Sequence, residues 1–236
     1  MYAFDIERPA TIDEAVSLLE SEGGQALAGG QTLIPTLKQR LAMPETLVSL
    51  TAIPEMRGVC LSEDGEVCIG GATSHALVSC ETADTYPALS AMAGHIGDPA
   101  VRNRGTIGGS LANNDPSACY PASALASRAT IRTNRRDIAA DDYFIGMFET
   151  ALEEGEIITE VRFPVPVRAS YRKFVQPASR FALVGVFVAQ FDDGVRVAVT
   201  GASENGVYRW GEAEAALASE FDAAAIDGLT VSPDQM

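Results

Sequence analysis

Histidine, cysteine and long apolar runs are all scarce in this chain of 236 residues, and each scarcity excludes something. Four cysteines, Cys60, Cys68, Cys80 and Cys119, stand 8, 12 and 39 residues apart with no C-x-x-C pair, and His75 and His95 are the only imidazoles. That inventory argues against a zinc or iron–sulfur site held by this chain alone. No metal ligand is expected, and the thiols read as buried and reduced. The longest apolar run, residues 181–190, is about half of the ~20 residues that a membrane-spanning helix needs. The N-terminus, Met1-Tyr-Ala-Phe-Asp-Ile-Glu7, lacks the basic-then-apolar order of a signal peptide, so a cytoplasmic protein is expected. Basic residues are few as well. Against 32 Asp and Glu there are 17 Lys and Arg, and the formal charge of −15 argues against nucleic acid as a partner, because such binding rests on Lys and Arg neutralising phosphates.

What remains, 47% hydrophobic and 21% charged, is a globular chain of one large or two modest domains. Thr11-Ile-Asp-Glu14 reads as a capping box, and Ile12, Ala15, Val16 and Leu19 recur at helical spacing until Gly23-Gly24. A short apolar run then enters Gly29-Gly30-Gln31-Thr32, a second helix follows on Leu33, Ile34, Leu37 and Leu41, and residues 46–50 read as a strand. This order predicts a small β-α-β unit with parallel pairing over residues 1–55. From residue 56 to 166 the texture is that of an α+β unit with a mainly antiparallel sheet. It has strands at 59–61, 67–69, 129–133 and 157–163, helices at 75–79, 86–96 and 117–127, and a polar, Gly-rich loop between 102 and 116. The pair Pro164 and Pro166 breaks both ladder and helix and marks the next boundary. A smaller α/β C-terminal domain is expected over 167–236, with strands at 171–175, 183–191 and 195–200, a turn at Asp192-Asp193-Gly194 and helices at 212–219 and 221–226.

Two segments share a design, Ala28-Gly-Gly-Gln-Thr-Leu33 and Thr106-Ile-Gly-Gly-Ser-Leu111. In each, a Gly pair removes the Cβ atoms that would block close approach, and a hydroxyl residue follows at Thr32 and Ser110. Successive backbone N–H groups in such turns form concavities for anions, and two of them could hold a pyrophosphate. An acidic chain that takes a phosphate-bearing ligand must do so with local donors of this kind rather than with its overall field. Each pair could equally be a plain turn. Neither is G-x-G-x-x-G or a P-loop, which disfavours a nucleotide hydrolase.

The pattern Leu27-Ala-Gly-Gly-Gln-Thr-Leu-Ile-Pro35 with Lys38 and Arg40, followed by Val101-Arg-Asn-Arg-Gly-Thr-Ile-Gly-Gly-Ser-Leu-Ala112 and Asp115-Pro116, resembles the FAD-binding medium subunits of the molybdenum hydroxylases, which include aerobic carbon monoxide dehydrogenases and the xanthine dehydrogenase group. The resemblance runs from about Phe4 to Val207. It implies an α+β FAD-binding fold with the cofactor between the first two units. Ala28, Gly29, Gly30, Gln31, Thr32 and Leu33 would cover one side of the pyrophosphate, and Thr106, Ile107, Gly108, Gly109 and Ser110 the other. It also implies that Ile157 or Ile158 packs on the flavin ring and that Lys173 lies close to it. A cation there would stabilise the anionic reduced flavin, although a solvated strand lysine is an equal alternative.

Two departures stand out. Where many relatives carry an Asp or Glu for the ribityl chain, this sequence has Cys119, a much weaker acceptor, which shifts that role to Asn113, Asn114 or Asp115. The C-terminal domain also reads as shorter than in relatives. The function implied is electron transfer: FAD takes electrons from iron–sulfur clusters and passes them to an external acceptor. An iron–sulfur small subunit and a molybdopterin large subunit are the expected partners, in a dimer of heterotrimers. Residues 87–101, where Asp98 is the only acid, are the candidate for part of the contact surface. An autonomous flavin oxidoreductase and a flavin-free scaffold are the alternatives.

Overall fold

The computed structural model describes residues 1–21 and 23–232. Its first unit is β1 (Asp5–Glu7), α1 (Ile12–Leu19), β2 (Gly24–Leu27), α2 (Leu33–Lys38) and β3 (Thr46–Ser49). Thr11 Oγ1 accepts the Glu14 N–H at 3.2 Å and the Glu14 carboxylate accepts the Ala10 N–H at 2.8 Å, so the capping box forms at the expected place. The strands pair in parallel in the order β1-β3-β2. Ala15, Val48, Leu50, Ile53 and Met56 pack with Ala72 and Ile157, so the core of the first unit already includes residues of the second.

The second unit runs through β4 (Val59–Leu61), β5 (Val67–Gly70), α3 (His75–Glu81), α4 (Pro87–Gly94), α5 (Pro99–Arg102), α6 (Ile107–Asn113), α7 (Cys119–Ala126), β6 (Thr130–Thr133), β7 (Asp137–Ala139), α8 (Ala140–Tyr143), β8 (Phe144–Gly146), β9 (Glu149–Thr150) and β10 (Ile158–Phe163). Its five-stranded sheet, ordered β4-β5-β10-β6-β7, is antiparallel throughout. The Gly-rich stretch expected as a loop is in part a helix, α6, because Thr106 caps it by accepting the Gly109 N–H. Residues 87–101 owe much of their low charge to burial: Leu89, Met92 and Ala93 are fully enclosed. Two cysteines expected to be buried, Cys60 and Cys80, are exposed.

The last part holds β11 (Arg168–Val175), β12 (Ala182–Phe191), β13 (Gly194–Thr200), β14 (Tyr208–Arg209) and α9 (Gly211–Ser219). Its strands are antiparallel in sequence order, so it is α+β rather than the α/β unit expected, and residues 223–226 form a 3-10 turn instead of an α-helix. Tyr86 presents its ring edge-on to both Phe163 of β10 and Phe187 of β12, with centroids 6.5 and 6.3 Å away. Tyr171, Phe187, Ala189 and Ala198 belong to the same hydrophobic cluster as α4 and α7. The chain thus changes sheets at Pro164–Pro166 without changing cores.

Candidate functional site

A cleft of about 610 Å³ opens between the first unit and the second. Its formation depends on bare backbone. A Cβ on Gly29 would stand 2.0 Å from the Arg104 carbonyl oxygen, and one on Gly108 would stand 2.6 Å from the Gly71 oxygen. Both are main-chain atoms, so only glycine lets the loop after β2 approach the 104–105 segment of the second unit and lets α6 pass the end of β5 this closely.

The two Gly-Gly segments do different work. Among the described residues, the N–H groups of Gly29, Gly30, Gln31, Thr32 and Leu33 have no protein acceptor, and all five residues line the cleft with Ala28. Gly30, at φ +70°, turns the chain so that this row faces inward, and α2 begins directly after Thr32. That is a concave set of free donors suited to an anion. The second segment was expected to match it and does not. The N–H groups of Ile107, Gly108, Gly109 and Ser110 are taken by Thr73 O, Gly71 O, Thr106 Oγ1 and Thr106 O at 2.9–3.1 Å. Its glycines serve packing, and Thr106, Gly108, Gly109 and Ser110 reach the cleft as a smooth wall, while Ile107 is fully buried and does not line it.

Further in, Asn113, Asp115, Cys119, Ile157, Ile158 and Lys173 line the same cleft. Asn114 turns away: at φ +40° it sends its amide to Gly146 O and Glu149 O, holding the β8–β9 hairpin. The Lys173 ammonium is neither free in solvent nor pointing openly into the cleft. It donates to His95 O at 2.7 Å and Arg180 O at 2.9 Å and lies 3.6 Å from the Cys119 thiol. This joins three segments far apart in sequence at one end of the cleft. Ile157 is fixed by its N–H to Asn134 Oδ1, and Glu156 beside it is locked by Arg136, the Thr133 hydroxyl and the Glu153 N–H. Burial would raise the Glu156 carboxyl, but those donors outweigh it and hold it down at about 2.

Among the lining residues that the sequence reading missed are Phe181, Arg180 and His75. Phe181 and Arg180 lie on the hairpin between β11 and β12 and carry no motif. His75 is 5% exposed, its ring lies 5.3 Å from that of Tyr120 at a tilt of 44°, and among the described residues its Nδ1 has no partner. Burial first, and the Arg102 charge second, push its pKa down to about 4. Between pH 6.5 and 4 the unfolded chain therefore binds a proton that the folded chain refuses, and stability falls by about 3 kcal/mol as pH drops through that window. Urea titrations of the protein and of His75→Gln across pH 4–7 check this. The variant should lose most of that slope.

Residues 2–166 match the family described as the FAD binding domain in molybdopterin dehydrogenase. The carbon monoxide dehydrogenase medium chain of Hydrogenophaga pseudoflava is 34% identical over 240 residues, covering 94% of this chain and 83% of its own length. The nicotine 6-hydroxylase medium subunit of Paenarthrobacter nicotinovorans is 36% identical over 209 residues, 82% of this chain and 73% of that one. Among solved structures, carbon monoxide dehydrogenase from Hydrogenophaga pseudoflava aligns with a TM-score of 0.87 at 34% identity over 95% of this chain and 84% of that chain. Quinoline 2-oxidoreductase from Pseudomonas putida 86 aligns at 0.83 with 27% identity over 99% and 90%. The protein is thus an FAD-type oxidoreductase subunit by fold and sequence. It belongs to the family of medium, FAD-binding subunits of the molybdenum hydroxylases.

Proposed function

We propose that this chain binds one FAD non-covalently in the cleft and serves as the electron-transfer subunit of a cytoplasmic molybdenum-containing hydroxylase or dehydrogenase. Electrons arrive from iron–sulfur clusters on a small partner subunit, downstream of a molybdopterin large subunit, and leave for an external acceptor, in a dimer of heterotrimers. The observation that carries this reading is the row of five unpartnered N–H groups at 29–33 opening onto a 610 Å³ cleft in an otherwise acidic protein. When bound, the flavin supplies the capacity to take up and pass on electrons.

The chain's own residues bind and tune. The donors at 29–33 receive the phosphates; Thr106, Gly108, Gly109 and Ser110 form the facing wall; Ile157 and Ile158 offer an apolar surface to the ring; Asn113 and Asp115 share the polar contacts beside Cys119. Lys173 places a positive charge at that end without needing solvent to satisfy it. Among the described residues, no group of three His, Cys, Asp or Glu side chains could hold a metal, and no helix is long and apolar enough to cross a membrane. The purified chain should be yellow and release intact FAD on heating in acid. A colourless chain that takes up no added FAD would leave the cleft as a packing feature only.

The Lys173–Cys119 contact gives a directed test. In Cys119→Asp the new carboxylate meets an ammonium already 3.6 Å from the sulfur, so its desolvation is offset by an ion pair. We expect flavin to be retained and its affinity unchanged or raised by a few-fold in fluorescence titrations. Loss of flavin would mark Cys119 as a core residue that tolerates no charge.

A further inference from the structure

Cys60 and Cys68 stand directly opposite each other in the β4–β5 pair. The Ser62 N–H donates to Glu66 O at 2.9 Å and the Gly70 N–H to Gly58 O at 3.0 Å, so the positions two residues to either side are hydrogen-bonded pairs. By the alternation of an antiparallel ladder, 60 and 68 form one too, with Cα atoms about 5.5 Å apart. That lies inside the ~4.4–6.8 Å that a disulfide spans. Val67 and Ile69 point into the core, so Cys68, and Cys60 across from it, occupy the outer face. There the two thiols differ. Cys60 is exposed, and Cys68 is 5% exposed beside Arg162, its partner across β10.

We infer that Cys60 and Cys68 are a reversible dithiol–disulfide couple, a modification site for small hydroperoxides such as hydrogen peroxide. Cys60, the accessible thiol, attacks the peroxide as its thiolate; an S–O bond forms, the O–O bond breaks, and hydroxide leaves. The Cys68 sulfur then attacks the sulfenic sulfur, the S–O bond breaks, and the departing hydroxide takes up the Cys68 proton as water. Two thiols and one peroxide give one disulfide and two waters. The order follows from exposure and from acidity. Burial, with the charges of Glu160 and Cys60 adding to it and Arg162 opposing, pushes the Cys68 thiol up to about 11, so it is the weaker first nucleophile.

The bond would act on the cleft. β4 is an edge strand held by β5 alone in its sheet, and the two strands run from Met56 and into Gly71 and Ala72, which line the cleft and are joined by the Ala72 N–H to Met56 O at 2.7 Å. A cross-link at 60–68 fastens the far end of that wall. By the loop-closure relation it should raise the melting temperature by about 5 °C.

The test treats the whole chain, with any flavin it carries, with stoichiometric hydrogen peroxide, then alkylates after denaturation and reads intact and peptide masses. The expected product has lost two hydrogens, keeps two of its four thiols free and yields a linked peptide pair containing Cys60 and Cys68. Dithiothreitol should restore all four. Cys80→Ser should still form the bond and Cys60→Ser should not. Cys60 that stops at the sulfenic or sulfinic acid, or that links two chains through Cys60, overturns the assignment on the unsubstituted protein alone.

Discussion

Gly29→Ala should yield a folded protein that emerges from gel filtration without flavin. The added methyl would lie 2.0 Å from the Arg104 carbonyl oxygen and 2.6 Å from both Arg104 C and Gly105 Cα, all of them main-chain atoms. No rotamer relieves that. The loop must retreat by about 1.4 Å to reach ordinary contact at 3.4 Å, carrying the 29–33 donors away from the facing wall. An error of that size across several charge-assisted hydrogen bonds, each worth about 1.5–3 kcal/mol, lowers affinity by at least 100-fold. Gly30→Ala is the milder companion. Its Cβ would meet the Ile34 side chain, which can move, and its main cost is about 1–2 kcal/mol for an L-residue at φ +70°. Gly65→Ala, at φ +80° with nothing within 4 Å, isolates the cost of backbone strain and should keep full flavin. Absorbance ratios at the flavin and protein bands, with circular dichroism to verify folding, read all three. Full flavin in Gly29→Ala would refute the close-approach account of the cleft.

The elements that were legible in the sequence are those whose signals are local. The Thr11–Glu14 capping box, the Asp192-Asp193-Gly194 turn and the apolar run over residues 181–190 each state their own structure, and α1 and the β12–β13 hairpin follow from them. β1 was not legible, since Asp5, Ile6 and Glu7 are all exposed and become a strand only by pairing in parallel with β3, forty residues on. α6 was hidden for the opposite reason. Two glycines cost about 1 kcal/mol each against alanine in a helix, and tertiary contact overrides that, because Gly108 must pass the Gly71 carbonyl closely.

The site divided in the same way. Gly-Gly-Gln-Thr marked the open donor row, but nothing local in Thr106-Ile-Gly-Gly-Ser revealed that its N–H groups are consumed by Thr73, Gly71 and Thr106. Similar residues meet different partners. The low charge of residues 87–101 has one source in core packing, at Leu89, Met92 and Ala93 under α3, α7 and β11, while Pro87, Ala91, His95 and residues 98–100 remain exposed. Lys173 and Cys119, 54 positions apart, are brought within 3.6 Å by the shared core that joins β11 to α7, a relation no spacing rule contains.

Substrate-dependent dye reduction should be absent with the isolated flavoprotein and should appear when the chain is produced together with its iron–sulfur and molybdopterin partners. Four of the ionisable groups that line the cleft argue for this one by one. His75 is neutral and, held near pKa 4, is a weak base. Glu156, near 2, is spent on Arg136, Thr133 and the Glu153 N–H. Asp115 accepts the Ser117 N–H at 2.8 Å, and Lys173 donates to two carbonyls. A general base must be poised near the working pH to draw a proton from carbon; His75 and Glu156 are held well below it, and Asp115 and Lys173 are engaged by the backbone. Under the proposed function, activation of an unreactive C–H bond or of carbon monoxide occurs on another subunit, with this chain receiving electrons. The assay compares the chain alone with the co-purified complex over a panel of aldehydes, purines, N-heterocycles and carbon monoxide, using an artificial acceptor. Turnover confined to the complex supports the electron-transfer role. Steady turnover of any of these by the isolated chain would require a substrate site over the flavin itself and make the protein an autonomous oxidoreductase.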